Sequence, residues 1–103
     1  MKQIIYLSVA ELELVEAAQY YDSEREGLGR AYIDAVRATE KRIQRNPRLW
    51  AFRRKPVRSC RIDRFPYRLH YVEEAERIVV VAVAHASRRP DFWEHRLSGG
   101  FLS

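Results

Sequence analysis

The chain has 103 residues, of which 47% are hydrophobic, while glycine and proline each occur only 4 times. This length suits one small domain with a single core, and the composition excludes a disordered or low-complexity protein. Lys and Arg outnumber Asp and Glu by 12 to 2 in residues 37–68, against 3 to 7 before this block and 4 to 5 after it. Such a dense basic block favours a polyanionic partner or an acidic protein segment.

The first part of the chain predicts a strand followed at once by a helix. Ile4-Ile5-Tyr6-Leu7 is a short apolar run, which is typical of a buried strand. Ser8 and Glu11 have the spacing of a capping box, in which each side chain satisfies a backbone N–H at the start of a helix. We therefore expect the first helix to run from about Val9 to about Arg25.

A second helix is predicted almost without a linker. Gly27 is a typical helix stop. From Leu28 onward, apolar residues recur at the spacing of one helical face until Asn46-Pro47 ends the pattern. The two helices are therefore expected to form a helical hairpin.

Residues 60–71 change to a period of two, which is typical of strands. Cys60 and Ile62 alternate with Arg61 and Asp63, and the later apolar positions Tyr67, Leu69 and Tyr71 alternate with Arg68 and His70.

The last predicted strand differs, because Ile78 through Ala84 are apolar without interruption and so indicate burial on both faces in the middle of a sheet. Pro90 favours a short terminal helix. The predicted class is α+β, with an N-terminal strand, a helical hairpin, an antiparallel three-stranded meander and a short C-terminal helix. We expect residues 1–103 to form a single domain.

Metal, cofactor and membrane binding are not expected. Cys60 is the single cysteine, which excludes an internal disulfide and a thiolate metal cluster. His70, His85 and His95 are too far apart for a short metal-ligand motif. No apolar run approaches the ~20 residues of a membrane span, and no secretory signal pattern opens the chain. We therefore expect a cytoplasmic protein.

A set of stretches, in order along the chain, carries a family resemblance. They are Ser8-Val9-Ala10-Glu11 with Ala17-Ala18-Gln19-Tyr20-Tyr21, Gly27-Leu28-Gly29, Ile43-Gln44-Arg45-Asn46-Pro47, Arg64-Phe65-Pro66-Tyr67-Arg68 with Tyr71, and Val83-Ala84-His85 followed by Arg89-Pro90 and Trp93. Together they resemble the RelE/ParE superfamily of small bacterial toxins from type II toxin–antitoxin modules, and more closely its ParE branch. The resemblance covers nearly the whole chain.

The resemblance implies a toxin that is held inactive by a cognate antitoxin, whose flexible segment wraps it. RelE-like members cleave messenger RNA on the ribosome, whereas ParE-like members poison DNA gyrase without known hydrolytic chemistry. We favour a ParE-like gyrase inhibitor. The alternatives are a ribosome-dependent mRNA endoribonuclease and an attenuated toxin that mainly binds its antitoxin.

The ribonuclease alternative needs a base, an acid and cations for the phosphate. Arg68 matches an arginine that RNA-cleaving relatives keep, and Arg61, Arg89 and His85 complete the candidate catalytic set. Trp93 stands where RelE-like relatives often carry a tyrosine. An indole donates a hydrogen bond but cannot shuttle a proton, which counts against ribonuclease activity.

Two sets of binding residues are expected. The residues expected to contact the target are Arg61, Arg68, Arg88, Arg89 and Trp93. The antitoxin is expected to cover part of the helical stripes and part of the basic block, through Leu14, Tyr21, Tyr32, Arg37 and Arg58.

Overall fold

The computed structural model describes residues 1–97, so residues 98–103 of the predicted domain lie outside the described part. The elements are β1 (Gln3–Tyr6), α1 (Ser8–Glu24), α2 (Leu28–Arg45), β2 (Phe52–Arg54), β3 (Val57–Arg61), β4 (Tyr67–Glu73), β5 (Arg77–His85) and a C-terminal 3₁₀ helix (Pro90–Leu97). The predicted α+β class and the order of its elements are confirmed.

The sheet has five strands in the order β1-β5-β4-β3-β2. β1 runs parallel to β5, and the other neighbours are antiparallel. β5 lies between β1 and β4 and is buried from Ile78 to Ala84, which explains its unbroken apolar sequence. β2 was not predicted, because its three residues are all exposed and carry no apolar alternation.

The helical hairpin is confirmed, but the predicted capping box is wrong. Ser8 is already the first helical residue, and Leu7 at the N-cap position makes no side-chain cap. Gly27 has a φ of 87° and begins the turn into α2, a conformation that glycine adopts at little cost. At Gly29 a Cβ atom would lie 2.6 Å from the backbone oxygen of Ala18, so this glycine permits the close approach of the two helices.

Both faces of the sheet are covered, and we name them by what covers them. The inner face packs against α1 and α2, through a core that includes Tyr32, Val36, Leu69, Tyr71 and Val80. The outer face carries the C-terminal 3₁₀ helix, whose Trp93 packs with Val57, Val72, Val79 and Val81. Among the described residues, no helix is long and apolar enough to cross a membrane.

Candidate functional site

Three arginines lie together on the outer face and form what we call the outer-face arginine cluster: Arg53, Arg61 and Arg68. Arg61 on β3 is directly opposite Arg68 on β4. Burial lowers the pKa of Arg68, and the nearby charges of Arg53 and Arg61 lower it further. Like charges directly opposite each other on a sheet are unfavourable, so the arrangement indicates a surface suited to an anionic partner.

The N–H groups of these arginines find few hydrogen-bond acceptors within the described part of the protein. Nη1 of Arg68 lies 3.4 Å from Oγ of Ser59. The buried Nε of Arg68 has no hydrogen-bond partner in the described part of the chain. Within residues 1–97, none of the three arginines forms an ion pair with an acidic side chain. The sequence analysis missed Arg53, although its position in the Arg53-Arg54-Lys55 run was a signal.

His85 lies on the inner face, away from the cluster. It is the cross-strand partner of Tyr67, and their ring centroids are 5.6 Å apart. Tyr67 itself packs against the inner core, whereas Arg68 pairs with Ala84 on the outer side. The structure therefore does not bring the imidazole of His85 together with Arg61 and Arg68, because alternation along β4 and β5 sends them to opposite faces.

His70 lies on the outer face, but it is buried. Its ring centroid is 6.2 Å from that of Phe92 and 6.1 Å from that of Trp93. Burial, followed by the charges of Arg53, Arg68 and Arg96, lowers the pKa of His70 to about 4. At neutral pH this imidazole is uncharged and covered by the C-terminal helix, so it is not presented to a ligand.

The described residues contain neither a reactive cysteine nor a group of side chains that could bind a metal ion. Cys60 is fully buried, and burial raises the pKa of its thiol to about 11. A protonated, buried thiol is a poor nucleophile. Among residues 1–97, no group of three or more His, Cys, Asp or Glu side chains could hold a metal ion.

Trp93 was expected to contact the target, but its side chain is fully buried. The C-terminal helix lies across the outer face and turns the indole into the core, so the free chain does not present Trp93 to a target. Arg88 and Arg89, by contrast, are exposed. The guanidinium carbon of Arg88 lies 4.2 Å from the ring centroid of Phe92, which holds this cation beside the same helix.

The residues expected to bind the antitoxin divide into two groups. Leu14 and Tyr32 are buried in the inner core, so their placement on a binding surface is wrong: the stripes that they mark face the sheet. Tyr21 is half-buried, and Arg37 is exposed and paired with Glu40 at 2.6 Å. Arg58 is half-buried and donates a hydrogen bond to the carbonyl of Trp50 at 2.9 Å.

A different side of α1 exposes apolar side chains. Leu12, Val15 and Tyr20 are 57%, 43% and 55% exposed. A shallow groove of about 270 Å³ lies between the helices and is lined in part by Val15 and by Ile33 of α2. The signal was present in the sequence, because α1 has more apolar residues than one core-facing stripe can use.

A second groove, of about 380 Å³, lies between α1 and the end of β5, and we call it the β5 groove. Its walls combine carboxylates, aromatic rings and a cation. They include Glu13, Glu16, Tyr20, Tyr67, His85 and Arg88.

The comparisons with known proteins agree with this architecture. The family model described as "ParE toxin of type II toxin-antitoxin system, parDE" matches residues 4–90. A solved structure titled "Chromosomal ParDE TA system from P. aeruginosa" is similar with a TM-score of 0.72 and 13% identity, over 82% of this chain and 96% of that chain. At that identity the likeness shows the fold alone. The comparison with curated proteins gives no match.

Proposed function

The chain belongs to the ParE family, the toxin component of type II toxin–antitoxin modules, and on this premise we propose that it acts by inhibiting DNA gyrase. The family also implies a cognate antitoxin as partner. The proposal concerns the target, which we infer from the ParE-like character of the chain together with the chemistry of its outer face.

The observation that carries the proposal is the separation of cations from proton-transfer groups. The outer-face arginine cluster can attract and hold an anionic surface. His85 is on the opposite face, and His70 is buried beneath Trp93. RNA cleavage needs a base and an acid within hydrogen-bond reach of the reacting oxygens. The geometry therefore supports a toxin that binds its target over one that cleaves RNA.

We assign the target surface to the outer-face arginine cluster together with the exposed Arg88 and Arg89. This assignment keeps four of the five target residues expected from the sequence, adds Arg53 and drops Trp93. Most of the affinity of such a surface depends on a few central side chains. Arg68 is the strongest candidate, because its guanidinium is partly buried and its Nε has no partner among the described residues.

The experiment is a supercoiling assay with purified gyrase and relaxed plasmid, using toxin released from its antitoxin. The wild type should inhibit supercoiling or trap cleaved DNA. Arg68→Gln should weaken the effect, whereas Arg45→Gln, which removes the same charge at an exposed end of α2, should not.

Two other results would overturn the proposal. Cleavage of ribosome-bound message by the same preparation, with gyrase unaffected at high toxin excess, would assign the chain to the ribonuclease alternative. A folded wild-type toxin that does neither, yet binds its antitoxin, would assign it to the attenuated alternative.

A further inference from the structure

The outer-face arginine cluster presents its cations with little competition from the rest of the protein. Arg53 and Arg61 are exposed, and their side chains form no hydrogen bond or ion pair within residues 1–97. Arg68 makes one contact, of 3.4 Å, to Oγ of Ser59. Directly opposed residues of two antiparallel strands have Cα atoms about 4.5–5.5 Å apart, so Arg61 and Arg68 bring two cations to neighbouring positions of the face.

Two acidic residues lie close to the cluster in the sequence or on the covering helix, and neither is paired with it. Asp63 follows Arg61 by two residues, but it lines a hollow together with Asp34 of α2, on the helical side of the sheet. Glu94 of the C-terminal helix forms an ion pair with Arg54. Within the described part of the chain, the protein therefore leaves the charge of the cluster available to an anion.

The cluster also lacks an exposed apolar side chain that could anchor a protein partner. Among residues 1–97, Phe52 is the one exposed large apolar residue on the strands that carry the cluster. Its cross-strand partner Arg58 pairs in turn with Tyr71 of the inner core, so the ring of Phe52 lies on the inner face, 3.9 Å from the guanidinium carbon of Arg58. Trp93, on the outer face, is fully buried.

These features fit a nucleic acid better than a protein surface. Protein interfaces concentrate aromatic and apolar side chains at their centre, whereas protein–DNA interfaces are more polar and much more positively charged. A guanidinium also binds a phosphate through two parallel hydrogen bonds. A face with several arginines, no neutralising acid and no exposed apolar anchor therefore matches a phosphate backbone.

We propose that the outer-face arginine cluster binds the phosphate backbone of duplex DNA. Phosphate contacts position a protein but carry no sequence information, so the binding does not depend on base sequence. The choice of DNA over RNA rests on the proposed function, because gyrase acts on duplex DNA. The toxin then contacts the DNA that its target holds, in addition to any contact with the gyrase protein.

The first test measures the binding of antitoxin-free toxin to a short fluorescent DNA duplex of arbitrary sequence, by anisotropy at several salt concentrations. Each phosphate contact contributes about 0.9 to the slope of log affinity against log salt concentration. Arg61→Gln should therefore reduce this slope by about 0.9. Its loss of affinity between about 50 and 200 mM salt should be about 3.5-fold smaller than the loss of the wild type.

The matched control is Arg45→Gln, which removes the same charge from α2, on the other side of the sheet. It should keep the wild-type slope. An unchanged slope in a folded Arg61→Gln variant would overturn the proposal. An equal reduction in Arg45→Gln would also overturn it, because binding would then follow net charge and not a site on the outer face.

RNA and the gyrase protein are the competing partners. Binding to an RNA of the same sequence, duplex or single-stranded, that is more than about tenfold tighter than to the DNA duplex would assign the cluster to RNA. If Arg61→Gln weakens binding to DNA-free gyrase as much as it weakens binding to the gyrase–DNA complex, the cluster contacts protein carboxylates. Either result rejects the proposal.

The supercoiling assay separates this inference from the gyrase proposal. A toxin that inhibits supercoiling, while its DNA affinity does not depend on Arg61 or Arg68, would disprove DNA binding by the cluster and leave gyrase as the target. A toxin whose DNA binding depends on the cluster, but which leaves gyrase unaffected, would support the DNA site and reject gyrase inhibition.

Discussion

Arg61 on β3 and Arg68 on β4 lie directly opposite each other on the outer face of the sheet. Cross-strand pairs of like charge are destabilising, on a scale of about 0.2–1 kcal/mol. We therefore expect Arg61→Gln to raise the free energy of unfolding slightly or leave it unchanged, while it weakens gyrase inhibition. Urea denaturation and the supercoiling assay measure the two effects on one preparation.

The control for this prediction is Arg45→Gln, which removes an exposed arginine from the last turn of α2 and should leave gyrase inhibition intact. A loss of more than about 1 kcal/mol of stability in Arg61→Gln would instead assign Arg61 a structural role. The combination of unchanged stability and weaker inhibition is what distinguishes a target contact from a structural residue.

Replacement of His85 should leave toxicity largely intact. The imidazole of His85 lies beside the ring of Tyr67 on the inner face, and its Nδ1 lies 2.7 Å from Oγ of Ser87. We expect His85→Gln to inhibit growth nearly as strongly as the wild type when expressed without antitoxin, whereas Arg68→Gln should be much less toxic. A non-toxic His85→Gln that still folds and binds antitoxin would support the ribonuclease alternative.

Trp93 should prove to be a core residue. Its side chain is fully buried between the C-terminal helix and the outer face of the sheet. Truncation of a buried tryptophan removes a large apolar contact, and we expect Trp93→Ala to lose about 3–5 kcal/mol of unfolding free energy. Leu12→Ala, at an exposed position of α1, should change it by less than about 0.5 kcal/mol. Similar losses for both variants would contradict the burial of Trp93.

An ion pair between Arg96 and Glu13 links the C-terminal helix to α1. The guanidinium donates to both carboxylate oxygens, at 2.9 and 3.0 Å, and the two side chains are only 10% and 18% exposed. Hydrogen bonds to charged groups contribute about 1.5–3 kcal/mol. We expect Glu13→Ala to lower the free energy of unfolding by about that amount, as measured by denaturation.

A double-mutant cycle with Arg96→Ala should show clear coupling between the two positions. The exposed pair Arg30–Asp34 is the matched control, since its side chains are 82% and 66% exposed. Its coupling should stay below about 0.5 kcal/mol. If the two cycles gave the same coupling energy, the C-terminal helix would not depend on this contact.

Stability should fall between pH 7.5 and pH 5 because of His70. Its folded-state pKa is lowered to about 4, against about 6.5 in an unfolded chain. At pH 7.5 the imidazole is almost entirely neutral in both states. As the pH falls from there toward 4, the unfolded state gains a proton that the folded state cannot accommodate, so unfolding becomes easier.

By pH 5 this linkage should cost about 2 kcal/mol relative to pH 7.5. Denaturation of the wild type and of His70→Gln at both pH values isolates the effect, because the carboxylates titrate in both proteins. If the variant loses as much stability as the wild type over this range, the pH dependence does not come from His70.

Much of the fold could be predicted from the sequence, because its signals are local. The helical periodicity from Leu28 to Asn46-Pro47 and the unbroken apolar run of β5 depend on near neighbours along the chain, and both predictions are confirmed. The period-two pattern around Arg68 likewise located β4 and its alternation. β2 was not predicted. Its three residues are exposed and form a strand only because they pair with β3, which no local pattern indicates.

The sequence by itself therefore determined every element except β2, their order and the density of basic charge in residues 37–68, since each is encoded within a few neighbouring residues. Only the tertiary structure decided which side chains meet. The β4–β5 ladder has a bulge, since Tyr71 pairs with Val80 and His70 with Ala82, and the resulting pairing of His85 with Tyr67 separates His85 from Arg68. The packing of the C-terminal helix buries Trp93. These outcomes depend on strand register and on contacts between distant segments, and no local pattern carries that information.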